Sequence, residues 1–104
     1  MAKLICIYWR DIPAQVVGRA GRKSSFKKEL APRFAKAIDR AAMRAGRGSS
    51  DAYLEDWRRV SEDVEGDLAV LVDERVAALE QEFDADTLER VVKAGGLKDK
   101  GNPG

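Results

Sequence analysis

The stretch KLICIYW at residues 3–9 constrains the fold more than any other part of the sequence. It is nearly all apolar and rich in β-branched and aromatic residues, which is typical of a central strand buried on both faces. The run is too short to cross a bilayer, since a spanning helix takes about 20 apolar residues, and it is also too short and badly flanked for a signal peptide. These residues therefore predict the central strand of a β-sheet.

Turn-forming residues follow this strand. Pro13 biases Ile12 toward an extended conformation, so residues 11–13 predict a turn and residues 14–18 a second strand antiparallel to the first. The glycines in residues 18–25 predict a mobile loop or a frayed strand end. A third strand is expected at residues 57–64, where WRRVSEDV alternates imperfectly.

Three segments have the apolar spacing of helices. Proline is tolerated at the first position of a helix, so the first helix begins at Pro32 and is ended by Gly46. The second covers residues 68–83, and the third follows Asp84 as its N-cap and stops at the glycine pair 95–96. A short helical turn is also expected, starting at residue 50 or 51 and running through residue 56.

The resulting order of elements is β-β-α-β-α-α. Helices over one face of a sheet are the simplest way to bury every apolar stripe, so we expect an α+β fold with a small, mostly antiparallel three-stranded sheet and two to three helices on one face. The chain has 104 residues, enough for a single core. Residues 1–96 are predicted to form one domain and residues 97–104 a flexible C-terminal tail.

The composition excludes several kinds of chemistry. The chain has no His and a single Cys, so by itself it cannot build a disulfide, a His-dependent triad or the usual zinc site. Cys6 lies inside the first strand without a basic neighbour in sequence, which predicts a buried, unreactive thiol. We expect a cytoplasmic protein that is not an enzyme, contains no catalytic residues and uses no metal, cofactor or membrane.

Charge is distributed unevenly along the chain. Its 19 basic and 18 acidic side chains nearly balance, but residues 1–50 hold 12 basic and 3 acidic ones, whereas residues 51–104 hold 7 and 15. Such asymmetry can indicate a polyanion-binding half. The alternative is that the two halves pack together in one domain and partly neutralise each other.

The end of the first strand is the first candidate site. Trp9, Arg10, Asp11 and Gln15 bring an aromatic ring, a guanidinium, a carboxylate and an amide together. Arg10 would clamp an anion with two hydrogen bonds while Asp11 holds the guanidinium in place. The structural alternative is an Arg–Asp ion pair with Trp packing around a tight turn.

The basic loop GRAGRKSS at residues 18–25 is the second candidate. It is not a P-loop, because Arg22 rather than glycine precedes Lys23 and the glycines are too close together. Arg19, Arg22 and Lys23 would contact an anion or a partner, and the alternative is a solvated loop.

Trp57 and Arg58 repeat the combination of an aromatic ring and a guanidinium. If the first and third strands are neighbours, Trp9 and Trp57 share one end of the sheet, with Arg10 and Arg58 beside them. The two rings would then stack on nucleic-acid bases or fill the core.

The sequence resembles a small bacterial family, the "virulence factor" domain, over about residues 3–83. The specific part of the resemblance is WRDIPAQV at residues 9–16, and PRFAKAIDRAAMRAG at residues 32–46 and the Trp57–Arg58 pair add weaker support. The resemblance implies a binding or accessory role without established catalytic residues. It also implies an association of the stand-alone members with folate- and corrinoid-linked one-carbon enzymes.

Three functions therefore remain open. The first is a non-catalytic accessory or adaptor protein that binds another bacterial protein through the Trp9/Arg10 strand end and the basic loop. The second is an auxiliary subunit or folate-handling partner of a one-carbon enzyme, in which Arg10, Arg22 and Lys23 meet an anionic tail such as a polyglutamate. The third is a nucleic-acid-binding module whose affinity would fall steeply with salt. The predicted contact residues are Trp9, Arg10, Asp11, Gln15, Arg19, Arg22, Lys23 and Arg58.

Overall fold

The computed structural model describes residues 2–21, 24–46 and 50–97. Over these residues the chain folds into one antiparallel sheet and four helices, so the α+β class is confirmed. The strands are β1 (Ala2–Trp9), β2 (Ile12–Ala20), β3 (Ser24–Glu29) and β4 (Trp57–Val64). The helices are α1 (Pro32–Arg44), α2 (Ser50–Glu55), α3 (Leu68–Glu82) and α4 (Ala85–Lys93).

The sheet has the order β3-β2-β1-β4, and each neighbouring pair is antiparallel. β1 is therefore a central strand, as the run of apolar residues predicts. Its residues alternate between a buried and a half-exposed side, so it is buried on one face and only partly on the other. The register between β1 and β2 shifts between Ile7 and Tyr8, and Trp9 at the end of β1 is fully buried.

The described residues contain four strands, not the three that were predicted. β2 continues to Ala20 and β3 begins at Ser24, where the sequence indicated a loop or frayed end. All six residues of β3 are exposed, so the strand has no buried side and no apolar alternation to reveal it. Backbone pairing with β2 forms it instead. The order of elements is accordingly β-β-β-α-α-β-α-α.

Helix α3 covers one face of the sheet. Leu4, Cys6 and Val16 lie under this helix and belong to the same buried cluster as Val72 and Val76. The approach is close at Gly18, where an added Cβ would lie 2.8 Å from a methyl carbon of Val72. A larger residue at this position would force the helix away from the sheet.

Helices α1 and α4 pack on each other and complete the core near the end of the sheet where Trp9 lies. Pro32 is the first residue of α1, as predicted, and the buried alanines of this helix permit close packing. Phe34 of α1 meets Phe83 edge to face at 6.3 Å. The side chain of Asp84 accepts a hydrogen bond from the Thr87 amide at 2.9 Å, so Asp84 caps α4 as the sequence indicates.

Apart from its end at Trp9, which is fully buried, the opposite side of the sheet is at least partly exposed. We call it the open face and define it by residues 3, 5 and 7 of β1, 15, 17 and 19 of β2, 25, 27 and 29 of β3, and 57, 59, 61 and 63 of β4. Ile5, Ile7 and Val17 form its half-exposed apolar centre. Ile5, Ile7 and Val17 are not among the buried residues of the core.

No helix in the described ranges is long and apolar enough to span a membrane. The predicted tail begins at Leu97, which is exposed, and residues 98–104 lie outside the described ranges.

Candidate binding site

The two tryptophans lie opposite each other in the sheet. β1 and β4 are neighbours, and their register pairs Trp9 with Trp57. Trp9 is fully buried, and its indole Nε1 donates a hydrogen bond to the carbonyl of Tyr53 at 2.8 Å. Trp57 is half-buried. The ring of Trp9 thus supports the end of the sheet from inside, while Trp57 reaches its surface.

Arg10 connects three segments of the fold. Its Nε donates to Asp56 in a 3.1 Å ion pair, and Nη1 donates to the carbonyl of Gly95 at 2.9 Å. The guanidinium also lies over the Trp9 ring, 5.3 Å from its centroid. The Arg10 and Asp56 side chains are only 19% and 20% exposed, so most of the guanidinium is engaged inside the protein.

Asp11 pairs with Arg58, whose Nη2 lies 3.1 Å from the Asp11 carboxylate. The same guanidinium donates from Nε to the carbonyl of Arg10 at 2.8 Å and lies 4.7 Å from the centre of the Tyr8 ring. Burial raises the pKa of the Tyr8 hydroxyl, and the positive charge of Arg58 opposes this increase. The sequence suggested an ion pair between Arg10 and Asp11 as one possibility. In the structure Arg10 pairs with Asp56 instead, and Asp11 pairs with Arg58.

Gln15 lines a cleft beside the open face. This cleft has a volume of about 480 Å³ and lies between α1 and the end of the open face. Its walls include Ile38 and Asp39 of α1, Glu29 of β3, and the rings of Tyr53 and Trp57. The volume is within the range of about 300–1,000 Å³ that is usual for ligand pockets.

The aromatic wall of the cleft is held in place by ring contacts. Tyr53 stacks on buried Trp9 at 5.9 Å with an interplanar angle of 24°, and meets Trp57 edge to face at 5.8 Å. Burial raises the pKa of the Tyr53 hydroxyl, and the negative charge of Asp39 raises it further. The Asp39 carboxylate therefore influences the electrostatics of this wall.

A shallower groove continues the cleft toward β4. It has a volume of about 530 Å³ and is lined by Ile7, Gln15, Trp57, Arg58 and Arg59. Gln15 and Trp57 line both depressions, so the cleft and the groove form one continuous concave surface. Of the predicted contact residues, this surface includes Gln15 and Arg58.

The open face carries four exposed basic residues, Lys3, Arg19, Lys27 and Arg59, and Lys3 forms an ion pair with Asp63 at 3.0 Å. Within residues 2–21, 24–46 and 50–97, none of the other three forms an ion pair. Arg22 and Lys23, the other two basic residues of the predicted loop, lie outside the described residues.

The prediction for Cys6 is confirmed as regards burial, because its side chain is 2% exposed. A basic neighbour is nevertheless present, since Nη1 of Arg75 lies 3.6 Å from Sγ and also pairs with Glu62 at 3.0 Å. The hydrogen bond from Arg75 lowers the pKa of Glu62. Within the described part of the chain, no group of side chains has the arrangement of a metal site.

The sequence analysis missed the residues that build the cleft. Glu29, Asp39 and Tyr53 were not considered, and Trp57 was considered only as a stacking or core residue. Tyr53 lies in a six-residue helix, and the two carboxylates lie in different elements. One sequence feature could have indicated the aromatic wall of the cleft. Tyr53 lies four residues before Trp57 in a chain with only seven per cent aromatic residues.

Comparison with known proteins gives one match. The model of the family described as "Virulence factor" matches residues 7–92. No curated protein and no solved structure matches the chain.

Proposed function

The chain belongs to the virulence factor family, and we propose that it is a non-catalytic accessory protein that binds another protein across the open face and the adjoining cleft. The observation that carries this proposal is the apolar centre of the open face. Ile5 pairs with Val17, and Ile7 lies two residues further along β1. All three are half-exposed on a side of the sheet where a solvated face normally presents polar residues. Covering these side chains with a partner would remove apolar surface from water.

The surroundings of this centre also suit a protein partner. Arg19, Lys27 and Arg59 form a polar rim, and Trp57 supplies the kind of aromatic side chain that often dominates binding energy. The proposal therefore changes the role predicted for Trp9 and Arg10, which the sequence analysis expected to contact the partner directly. Trp9 and Arg10 support the binding surface from below, whereas Gln15 and Arg58 belong to it.

A non-catalytic role is supported by the chemistry of the chain. There is no His in the sequence, and the single thiol is buried beneath α3. The carboxylates of the cleft, Glu29 and Asp39, are exposed, whereas a catalytic carboxylic acid usually lies in a desolvated pocket.

A matched pair of variants tests this function. The partner is captured from an extract of the native cells, purified, and titrated against wild-type protein, Val17→Glu and Val70→Glu by calorimetry. Val70 is also an exposed valine, 49% accessible, but it lies on α3 and not on the open face. Val17→Glu should weaken binding by at least about tenfold, which is the effect of losing a hot spot. Val70→Glu should bind like wild type.

Thermal unfolding of both variants is the control for folding. Equal affinity of the two valine variants would overturn the proposal. Identification of the captured protein as a one-carbon enzyme would instead support the auxiliary role that the resemblance implies.

A nucleic-acid ligand is the second candidate function, and one observation favours it. Arg19, Lys27 and Arg59 lie on the same side of the sheet as Trp57, so phosphates and one stacked base have potential contacts there. If this function is correct, a fluorescent single-stranded oligonucleotide should bind with an affinity that falls steeply as salt is added, and Arg59→Ala should reduce that salt dependence.

A further inference from the structure

The cleft between α1 and Trp57 has the opposite electrostatic character to the rest of the open face. Glu29 and Asp39 lie on its walls. In the described ranges neither carboxylate forms an ion pair. The cleft therefore contains two negative charges that this part of the chain leaves without a salt-bridge partner.

Within the described ranges, no basic residue of α1 forms an ion pair with either carboxylate. Three of the four basic residues of α1 donate hydrogen bonds to groups outside the cleft. Arg33 donates to the carbonyls of residues 80 and 83, Arg40 to the carboxylate of Glu89, and Arg44 to the carbonyl of Lys93. All of these acceptors lie on or next to α3 and α4, and none of them lines the cleft.

The aromatic wall adds a second feature that favours a cation. The rings of Tyr53 and Trp57 line the cleft, and Trp9 holds Tyr53 from behind. Faces of such rings attract guanidinium and ammonium groups, and the attraction increases when the cation is partly desolvated. Rings that are already fixed lose little conformational freedom on binding.

From this geometry we infer that the cleft is a receptor for a single arginine or lysine side chain of the partner protein, with Asp39 and Glu29 as its counter-charges. This inference rests on the proposed function and specifies the chemistry of the partner at one end of the binding surface. Arg58 and Arg59 lie at the other end of the concave surface. The partner segment is thus oriented with its basic residue toward α1 and away from β4.

The test uses the full chain and two blocked pentapeptides of glycine with one central residue, arginine in one and glutamate in the other. Each peptide is titrated into isotopically labelled protein and followed by nuclear magnetic resonance. The arginine peptide should shift the indole N–H signal of Trp57 and the side-chain amide signal of Gln15. The glutamate peptide should leave these two signals unchanged.

Two variants make the test specific. Asp39→Asn should weaken binding of the arginine peptide by about fivefold or more, while Glu74→Gln should change it by less than about twofold. Glu74 is an exposed carboxylate on α3, outside the cleft. Glu29→Gln is a second cleft variant, at an exposed position of the edge strand, in case Asp39→Asn reduces stability.

Three outcomes would overturn the inference: equal binding of both peptides, equal losses in Asp39→Asn and Glu74→Gln, or signal shifts at Trp57 only with an oligonucleotide. Failure of the arginine peptide while Val17→Glu still weakens the partner complex removes the cleft assignment and leaves the proposed function. Failure of both experiments removes both.

Discussion

Arg10 is tied to Asp56 by a 3.1 Å ion pair between Nε and Oδ2, and this pair fastens the end of β1 to the residue that precedes β4. The backbone reinforces the link, because the Arg10 amide donates to the Asp56 carbonyl at 2.9 Å. Arg10 also has a positive φ of 54°, an uncommon conformation for a residue other than glycine. The contacts of its side chain thus accompany a strained turn between β1 and β2.

We expect Arg10→Ala to destabilise the fold by about 2 kcal/mol or more, because it leaves Asp56 and the Gly95 carbonyl without this partner at a mostly buried site. Urea unfolding measures the loss. Arg59→Ala is the matched control, since Arg59 is exposed and has no ion pair within the described residues, and it should cost less than about 0.5 kcal/mol. Similar stabilities of the two variants would show that Arg10 does not fasten the strand.

Gly96 should be intolerant of any side chain. It has a positive φ of 95°, and an added Cβ would lie 2.7 Å from Cζ3 of buried Trp9. Gly96→Ala therefore combines backbone strain with a clash against the core, and we expect a loss of about 2–4 kcal/mol. Thermal and urea unfolding provide the measurement.

Gly46 provides the comparison for this substitution. Its φ of 72° is also positive, but among the described residues an added Cβ would have no neighbour within 4 Å. Gly46→Ala should show the conformational cost alone, about 1 kcal/mol. If both alanine variants lose the same stability, the contact with Trp9 contributes nothing.

Elements with local signals were predictable from the sequence. The predicted bounds of β4 at residues 57–64 are those observed, and Pro32 and Asp84 mark the starts of α1 and α4. Each of these signals acts within a few residues: an alternating pattern, a proline ring that fits only the first turn, and a side chain that caps its own helix. By contrast, β3 exists through pairing with β2, a non-local interaction that leaves no mark in SSFKKE.

The site was less predictable for the same reason. Arg10 is separated from Asp56 by 46 positions and from Gly95 by 85, whereas its neighbour in sequence, Asp11, is the partner of Arg58. The cleft is likewise assembled from five elements that meet only after folding. Residue types at a strand end indicate that contacts form there, but the choice of partner depends on the tertiary arrangement.

Cys6 should resist thiol reagents while the protein is folded. Its side chain is 2% exposed under α3, so labelling requires opening of the core and should be slower than in denaturant by more than about a thousandfold. The rate of reaction with a chromogenic disulfide measures this protection. Fast, complete labelling of the native protein would contradict the packing of β1 against α3.

Arg75 covers this thiol, with Nη1 3.6 Å from Sγ. Arg75→Ala should therefore increase the labelling rate of Cys6 by more than the change in the free energy of unfolding predicts. Arg90→Ala, at an exposed position on α4, is the control and should label at the wild-type rate.

The cap of α4 should make stability depend on acid. The hydrogen bond from the Thr87 amide lowers the pKa of Asp84, so this carboxylate holds its proton less tightly in the folded than in the unfolded chain. Its contribution to stability is therefore fully present above the unfolded pKa and is lost as the pH falls through the folded pKa, a decline that begins at about pH 5.

Asp84→Asn keeps a cap of similar strength without the titratable group. Urea unfolding at pH 7 should find the two proteins nearly equal, whereas at about pH 3 the asparagine variant should have gained relative to wild type. Parallel pH profiles for the two proteins would mean that the Asp84 carboxylate does not contribute to the acid sensitivity of the fold.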